Sequence, residues 1–546
     1  MFALQFSVRV LLRASLLFCC LSAWSSAGSF AADRDVARSA DERQALSTGV
    51  ELEKARKWLE AVEFYESNLK EWPTSESLQK ALRRSKGQFS IERRYSDQSF
   101  VAEMVALPSN EAMAHLEELL LAIRQRYVDS ISSTSLLAHG TESLYLALSN
   151  DKFLQRNLPR ATPEQTRRVR SVLVEQYWNK PVSTPDATRR LVLDVCELCR
   201  RELGLEATPV VMEYVFGACN SLDEYSSYLT PGRRRDLFDN IAGEFVGIGV
   251  EMKGDMGKGL RLMNVLPESP AEEGGCRTGD IITAIDGVDC RNMSIDEAAS
   301  VMQGQSGSRV RLQLTSPAGD VRDTTLVRRA VKVKSIPVAK IIDTANGVGY
   351  IKMTGFQKNT TEELDAALFK LHREGMRALI WDLRGNPGGL LDVAVEVLDR
   401  FIADGVLVST KGRTSDSNSS YSARREGTWN MPLVVLVDGD SASASEIVAG
   451  AIHDHHRGEL VGRKTYGKWS VQTIHMGRGE TGLRLTTAKF YSPTGNTFGK
   501  IGFQPDVVVP EPAPQTTTAY RGAIDPNSDS DIEAGLNALK KQLARR

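Results

Sequence analysis

Between residues 40 and 95, apolar residues recur at spacings of three and four in "ELEKARKWLEAVEFYESNLKEWPTSESLQKALRRSKGQF". That period predicts a helical hairpin broken at Pro73. The helical period continues over 96–242, through loops at "ISSTS" and "NKPVSTPD", and leaves by the turn-rich "CNSLDEYSSYLTP". It then changes. "FVGIGVEM", "LRLMNVL", "DIITAIDG", "RVRLQLT" and "DTTLVRR" are short alternating or β-branched runs between Gly- and Pro-containing turns, with one helical piece, "SIDEAASVMQG". They predict a compact, mostly β module over 243–331. From 332 to 512 apolar strand runs such as "GVGYIKM", "RALIWDLRG" and "PLVVLVDG" alternate with helical stretches. Strand-helix alternation predicts an α/β core with a parallel-rich sheet, joined by crossover helices. Residues 513–546 read as a polar linker and a short charged helix.

A chain of 546 residues and net charge −1 holds several domains and has no polybasic surface, so nucleic acid is not an expected partner. Arg9 and Arg13 precede the apolar "ASLLFCCLSAW", and "SSAGSFAAD" supplies small residues for cleavage. The apolar core of about ten residues is too short for a stable membrane span. We therefore expect residues 1–31 to be a signal peptide, cleaved after Ala31. The mature protein would be exported, periplasmic or extracellular, with membrane association left open. Five cysteines follow the leader: Cys196, Cys199, Cys219, Cys276 and Cys290. This sparse, odd set is not a disulfide framework, and Cys196 and Cys199 are expected on one helix face as small apolar residues. Over 40–95, Trp58, Ala61, Tyr65, Leu69 and Pro73 fall at the offsets of a single tetratricopeptide-type pair. One pair forms no stacked groove. A homo-oligomer or adaptor contact through the N-terminal helices stays open beside simple packing on a neighbour.

Two strand ends carry chemistry. "ALIWDLRGNPGGLL" runs into a glycine turn before a helix, and "PLVVLVDGDSASASEI" into alternating serines before another. Ligand sites of such sheets lie at the carboxyl ends of strands. Backbone N–H groups at a strand-to-helix turn suit an oxyanion, and a serine there suits a nucleophile. A hydroxyl nucleophile needs a base. Lys468, in "GRKTYGKWSVQT", is one candidate. A free lysine titrates about 3.4 units above neutrality, so full competence at pH 7 costs about 4–5 kcal/mol; burial can shift a lysine by that much. The histidines of "HDHHR", His453, His455 and His456, are the competitor, since a Ser-His-Asp triad is defined by geometry rather than spacing. They sit toward the polar end of the helix, away from its start, and are better read as a solvated helix end than as a metal site.

The combination "FVGIGV", "DLRGNPGG", "DGDSASASEIVAGAIHDHHR" and "GRKTYGKWSVQ" resembles the carboxyl-terminal processing peptidases, or tail-specific proteases, over about 220–510. The resemblance implies a ClpP/crotonase-like protease core (332–512), an inserted PDZ domain (243–331), and an N-terminal all-α region (40–95 and 96–242). It implies a serine endopeptidase cleaving exported proteins near their C-termini, with no cofactor and no metal. Its nucleophile would be Ser443 and its general base Lys468. Gln472 matches a residue that orients the lysine, and Asp454 a supportive acidic residue. N–H groups of Gly388 or Gly389, and of Ala444, would form the oxyanion hole. The PDZ loop Val246, Gly247, Ile248, Gly249 and Val250 would capture a free chain terminus while the peptide adds as a strand. Partners would be proteins or peptides with free C-termini.

One position departs from the family pattern. Trp469 stands where a glycine usually follows the lysine, which would strain the loop if φ is positive there, narrow the cleft or fill a specificity pocket. The alternative function is a catalytically inactive PDZ scaffold that binds protein C-termini, with the site closed by Trp469.

Overall fold

The computed structural model of the chain describes residues 41–511 and 528–544, apart from 256, 292, 294, 303, 305, 425 and 426. The expected leader and its cleavage site, and the start of the expected C-terminal linker, lie outside the described residues. Helices occupy 41–54 (α1), Trp58–Glu71 (α2), Glu76–Ser96 (α3), Ser109–Arg126 (α4), Ser133–Ala147 (α5), Asp151–Asn157 (α6), Pro163–Val172 (α7), Pro185–Leu203 (α8) and Ala207–Cys219 (α9). No described helix is long and apolar enough to cross a membrane.

The chain divides into two compact units, one of residues 41–95 with 145–167, the other of 96–144 with 168–544. In the first, Ala45, Ala61, Tyr65, Trp72, Leu78 and Ala81 form one buried cluster. Glu53 sits at its edge and accepts from Tyr65 Oη (2.8 Å) and from both Nε and Nη2 of Arg84 (2.7 Å each). In the second, Cys196 and Cys199 are buried on α8, and burial pushes both thiols up to about 12. They stay protonated at neutral pH, in keeping with the packing role expected for them.

After strand β1 (Ser227–Leu229) and helix α10 (Pro231–Ala242) comes the β module. β2 (Glu244–Gly247) pairs with β9 (Arg329–Lys332) and so closes the module at its entry and exit. Between them β3 (Val250–Asp255), β4 (Gly259–Val265), β5 (Ile281–Ile285), β7 (Arg309–Thr315) and β8 (Val321–Val327) form an antiparallel sheet, with β6 (Val288–Asp289) on β5. Helices α11 (Pro270–Glu273) and α12 (Ile295–Met302) belong to the same module. Alternation explains its core: Val310, Leu312 and Leu314 point inward from β7 while Arg309 and Arg311 stay exposed.

The remaining strands form two sheets. One has the order β10 (Val338–Asp343), β11 (Val348–Lys352), β12 (Ala378–Asp382), β15 (Leu433–Val437), β16 (Glu459–Gly462), β19 (Val507–Val508). Only the β10–β11 pair is antiparallel. Helices α13 (Thr360–Arg373), α14 (Leu391–Leu398) and α15 (Ala444–Asp454) cover one face, and α16 (Ser530–Ala544) the other. Because both faces are covered, β15 is apolar throughout: Leu433, Val435 and Val437 enter the cluster under α14 and α15, while Val434 and Leu436 meet α16. The second sheet has the order β1, β18 (Gly482–Tyr491), β13 (Val406–Gly412), β14 (Ser419–Ser422), with β17 (Ser470–Met476) also paired to β18.

Candidate active site

Two neighbouring parallel strands, β12 and β15, end side by side, and their loops are stitched together. Gly385 N–H donates to Asp438 Oδ1 (2.9 Å), Ser441 Oγ to the Leu383 carbonyl (2.9 Å), Ala442 N–H to the Asn386 carbonyl (3.0 Å) and Ser445 Oγ to the same carbonyl (2.9 Å). Ser441 and Ser445 are fully buried and spend their hydroxyls on this seam, whereas Ser443 between them is partly exposed. That answers why three serines alternate here: two hold the turn and one is presented.

Ser443 precedes α15 with φ 57° and ψ −114°. A non-glycine residue held there costs about 1–3 kcal/mol, a strain kept only where the surroundings impose it. Gly388 is pressed against it. A Cβ on Gly388 would lie 2.7 Å from the Ala442 carbonyl oxygen, 2.8 Å from Ser443 Cβ and 2.9 Å from Ala444 N, and its φ is +102°. Only glycine brings the backbone so close to the serine. The glycine turn and the first N–H of α15 thus converge beside Ser443 Oγ, the arrangement an oxyanion hole needs. Gly388 N–H donates to Asn386 Oδ1 (2.9 Å) in this structure.

Lys468 arrives from the other sheet. Trp469 is in the core, and Val471 packs against the same cluster. Alternation therefore sends Lys468 and Ser470 to the opposite face, and a shift of register between Val471 and Gln472 interrupts the alternation beyond them. Lys468 Nζ lies 4.9 Å from the centre of the Tyr225 ring. Burial, then the Arg484 guanidinium, pushes its pKa below the ordinary lysine value, against the opposing charges of Asp223, Glu446 and Glu224. Among the described residues, no hydrogen bond joins Lys468 Nζ to Ser443 Oγ.

The two are linked instead through Glu446, a fully buried residue at the third position of α15. Its Oε2 accepts from Ser443 N (2.9 Å) and Lys468 N (2.8 Å); its Oε1 accepts from Thr465 Oγ1 (2.6 Å) and Gly467 N (2.8 Å). Sequence reasoning missed Glu446. The signal was available: Ser443-Ala444-Ser445-Glu446 is the S-x-x-E pattern that opens a helix.

Residues 347–509 match the sequence profile of Peptidase family S41, and 261–315 that of a PDZ domain. The carboxy-terminal-processing protease of Bartonella bacilliformis is 36% identical over 339 residues, 59% of this chain and 77% of that protein. The carboxyl-terminal-processing protease of Picosynechococcus sp. is 37% identical over 314 residues, 56% of this chain and 75% of that protein. Among solved structures, the photosystem II D1 C-terminal processing protease aligns over 74% of this chain and 94% of that chain, at 25% identity and a TM-score of 0.39. The chain belongs to the carboxyl-terminal-processing protease family. It is a serine peptidase with a PDZ domain.

Within this protease the other named residues take different places. Gln472 Nε2 donates to the Ser470 carbonyl (3.1 Å), Ser470 Oγ (2.9 Å) and Thr486 Oγ1 (3.3 Å), and not to Lys468. Asp454 closes the far end of α15. Burial opposes its charge, but hydrogen bonds from Ser492, Thr494 and His453 outweigh this and hold its carboxyl below the usual range. Eleven residues of helix separate it from Ser443, about 16 Å of rise. His453 and His455 share that distance; His455 Nε2 is bonded to the Val406 carbonyl (2.7 Å), so neither reaches Ser443. Among the described residues, the Ser-His-Asp alternative finds no histidine hydrogen-bonded to Ser443.

Trp469 corrects an expectation. It neither narrows the cleft nor strains the loop. Gly467, two residues earlier, takes the positive φ (+96°), and Trp469 is not among the residues with positive φ. Its ring is buried against Phe490 (4.6 Å between ring centres) and Phe498 (4.9 Å), behind Gly450 of α15. In the PDZ loop, the carbonyls of Ile248 and Gly249 accept from Ala271 N (2.8 Å) and Leu266 N (2.9 Å), which fixes the path of Val246–Val250.

Proposed function

We propose that the chain is an exported endopeptidase that cleaves proteins near their C-termini through a Ser443–Lys468 dyad. The observation that carries this reading is the pair itself. A strained, presented serine and a largely buried lysine with a depressed pKa share one carboxylate, Glu446, as backbone anchor. Neutral Lys468 takes the proton of Ser443 Oγ as that oxygen attacks the scissile carbonyl. N–H groups of Gly389 and Ala444, and of Gly388 once Asn386 releases it, receive the oxyanion. The lysine returns its proton to the leaving amine, and water then opens the acyl-enzyme. Lys468 Nζ lies over the Tyr225 ring in this structure, and proton transfer requires it to come within hydrogen-bond reach of Ser443 Oγ.

The loop Val246–Val250 receives the substrate's terminal carboxylate, and the tail adds beside β3. The core follows the ClpP/crotonase-like plan, with the N-terminal all-α region and its tetratricopeptide-like hairpin as a separate, partner- or packing-directed part. Gln472 and Asp454 support the fold of the site without touching the reacting atoms. Export to the periplasm or extracellular space follows from the leader.

The test uses an unfolded protein substrate with a free apolar C-terminus, cleaved by wild type, Ser443→Ala and Lys468→Ala, with and without a competing C-terminal peptide. Both variants should lose cleavage, and the peptide should slow the wild type. Equal cleavage by all three proteins rejects the dyad. The scaffold reading loses its motive, because Trp469 lies in the core; it would return if the protein bound C-terminal peptides yet never reacted with a serine-directed acylating probe.

A further inference from the structure

Lys468 is largely buried, yet its amine has few partners. Among the described residues, Nζ makes no hydrogen bond and no ion pair; it lies over the face of Tyr225, 4.9 Å from the ring centre. The carboxylates that act on it are engaged elsewhere or lie in solvent. Glu446 accepts through its two oxygens from the N–H groups of Ser443, Gly467 and Lys468 and from Thr465 Oγ1. Asp223 Oδ1 accepts from Ser226 N–H (2.9 Å), and Glu224 is exposed. A buried amine ordinarily finds an oxygen, and this one finds a ring.

The ring is anchored as firmly as the lysine. Tyr225 sits in the turn that leads into β1. Asp223 N–H of that turn donates to Tyr127 Oη (2.9 Å), just beyond the end of α4. Thr486 N–H of β18 donates to Ser226 Oγ (3.0 Å), and Ser227 then pairs with Arg484 in the register of β1 on β18. Tyr127, Ser226 and Thr486 are all buried. The turn is thus fixed to α4 and β18, while the loop of Lys468 is fixed to α15 through Glu446. A ring and an amine meet on two backbones that are anchored separately.

An aromatic face attracts N–H groups without offering them a full negative charge. A carboxylate in the same place would stabilise the ammonium far more and keep the lysine from serving as a base. A neutral amine that rests its N–H groups on the ring turns its lone pair away from it, free to accept a proton. We propose that Tyr225 is a positioning residue for the base: its ring face holds the Lys468 amine in place and leaves the lone pair available to Ser443 Oγ. The inference rests on the assignment of Lys468 as base. The charged groups acting on the amine are Asp223 and Glu224 from the turn of Tyr225, Glu446 from α15 and Arg484 from β18. The phenol oxygen lies beside Glu224 and Tyr466, so the ring, not the hydroxyl, serves the amine.

The experiment uses the full chain as wild type, Tyr225→Phe, Tyr225→Leu, Tyr225→Met and Lys468→Ala. One measurement is the rate at which a serine-directed sulfonyl fluoride modifies Ser443, followed over pH to the plateau where Lys468 is neutral. The other is the midpoint of Lys468 itself, from trace labelling of its amine by acetic anhydride, read by peptide mass spectrometry. Tyr225→Leu and Tyr225→Met should lower the plateau by about tenfold, because a neutral base out of place still fails to reach its proton. Their labelling midpoint should not rise, since the face that favoured the ammonium is gone. Tyr225→Phe should recover most of the plateau rate. A wild-type plateau in either apolar variant, or a Tyr225→Phe rate as low as theirs, overturns the role of the ring. So does a midpoint that rises toward the free-lysine value, since Tyr225 would then only exclude water. An acylation profile left unchanged by Lys468→Ala overturns the base assignment instead, and that variant tells the two failures apart.

Discussion

One carboxylate, that of Glu446, receives the backbone N–H groups of both Ser443 and Lys468, at 2.9 and 2.8 Å. The nucleophile's strained turn and the base's loop come from different sheets, and this side chain sets them against each other. Glu446→Gln replaces one acceptor oxygen with a donor. Thr465 Oγ1 can turn to accept, but a buried backbone N–H of Gly467, or those of Ser443 and Lys468, would face an NH₂ group. Each such orphan costs about 1–3 kcal/mol. We expect Glu446→Gln to slow acylation of Ser443 by about ten- to hundredfold, since 1.4 kcal/mol is tenfold, and Glu446→Ala to lose more and to unfold at lower urea. Acylation-probe kinetics beside urea unfolding checks this. A Gln variant with wild-type acylation contradicts it.

The lysine that serves the reaction should cost the fold. Its pKa in the folded chain is below the ordinary 10.5 because of burial and Arg484. Between that depressed value and the unfolded value the unfolded chain binds more protons, so stability from this group rises with pH across that window. Below the folded pKa the ammonium is present in both states and its full burial penalty remains. Lys468→Met should therefore be inactive yet more stable than wild type at neutral pH, by about 1–3 kcal/mol. The advantage should shrink as pH approaches 10. Urea unfolding at two pH values measures both the sign and the trend.

Trp469 ties the strand of the base to the helix of the nucleophile. Its ring fills the space behind Gly450 and contacts Phe490 and Phe498, which in turn stacks edge-on with Phe503. Trp469→Gly, the usual family residue, empties that space. Deleting a buried tryptophan side chain costs about 3–5 kcal/mol, and glycine adds backbone freedom. Activity should fall with stability, because Lys468 is the adjacent residue. Trp469→Phe should recover most of both. If Trp469→Gly raised activity without loss of stability, the tryptophan would be an obstruction after all.

Much of this site was legible in the chain because its signals are local. Apolar runs ending in glycines or serines mark β12 and β15, and a helix pattern beginning at Ile447 marks α15. The antiparallel approach of β17 and β18 was not legible, since it depends on pairing between segments that show only weak alternation. For the same reason the place of Trp469 was misjudged: its partners Phe490 and Phe498 are about twenty and thirty residues on, and no spacing rule links them. Arg484 and Tyr225 carry no motif. Their relation to Lys468 exists only once three strands lie side by side. Gln472 shows the converse limit, for a motif match named the residue but not its hydrogen bonds.

The last coupling runs through the back of the sheet. Arg384, four residues before Gly388, donates to Asp382 and also to Asp529 (Nη1 2.9 Å) and Asp531 (Nη1 2.8 Å) at the start of α16. Asp531, almost fully buried, also accepts from Arg463 Nη1 (2.9 Å). The carboxyl of Asp382 is buried, which acts against its charge, but Lys352 and Arg384 outweigh this and hold it at about 2. A buried pair broken on one side leaves the partner uncompensated, which costs about 3–5 kcal/mol. Asp531→Ala should therefore destabilise the chain by about that amount, and it should also slow acylation, because Arg384 leads directly into the glycine turn. Asp529→Ala, whose partner retains Asp382 and Asp531, should do much less. The Asp382 contribution is present above its unfolded value near 3.8 and is lost as pH falls toward 2, so acid unfolding should begin within that interval. Urea and acid titrations of the two variants, run beside acylation rates, test whether α16 supports the active site or only the sheet. Equal loss of stability in Asp531→Ala with an unchanged acylation rate in the folded fraction would confine its role to the sheet.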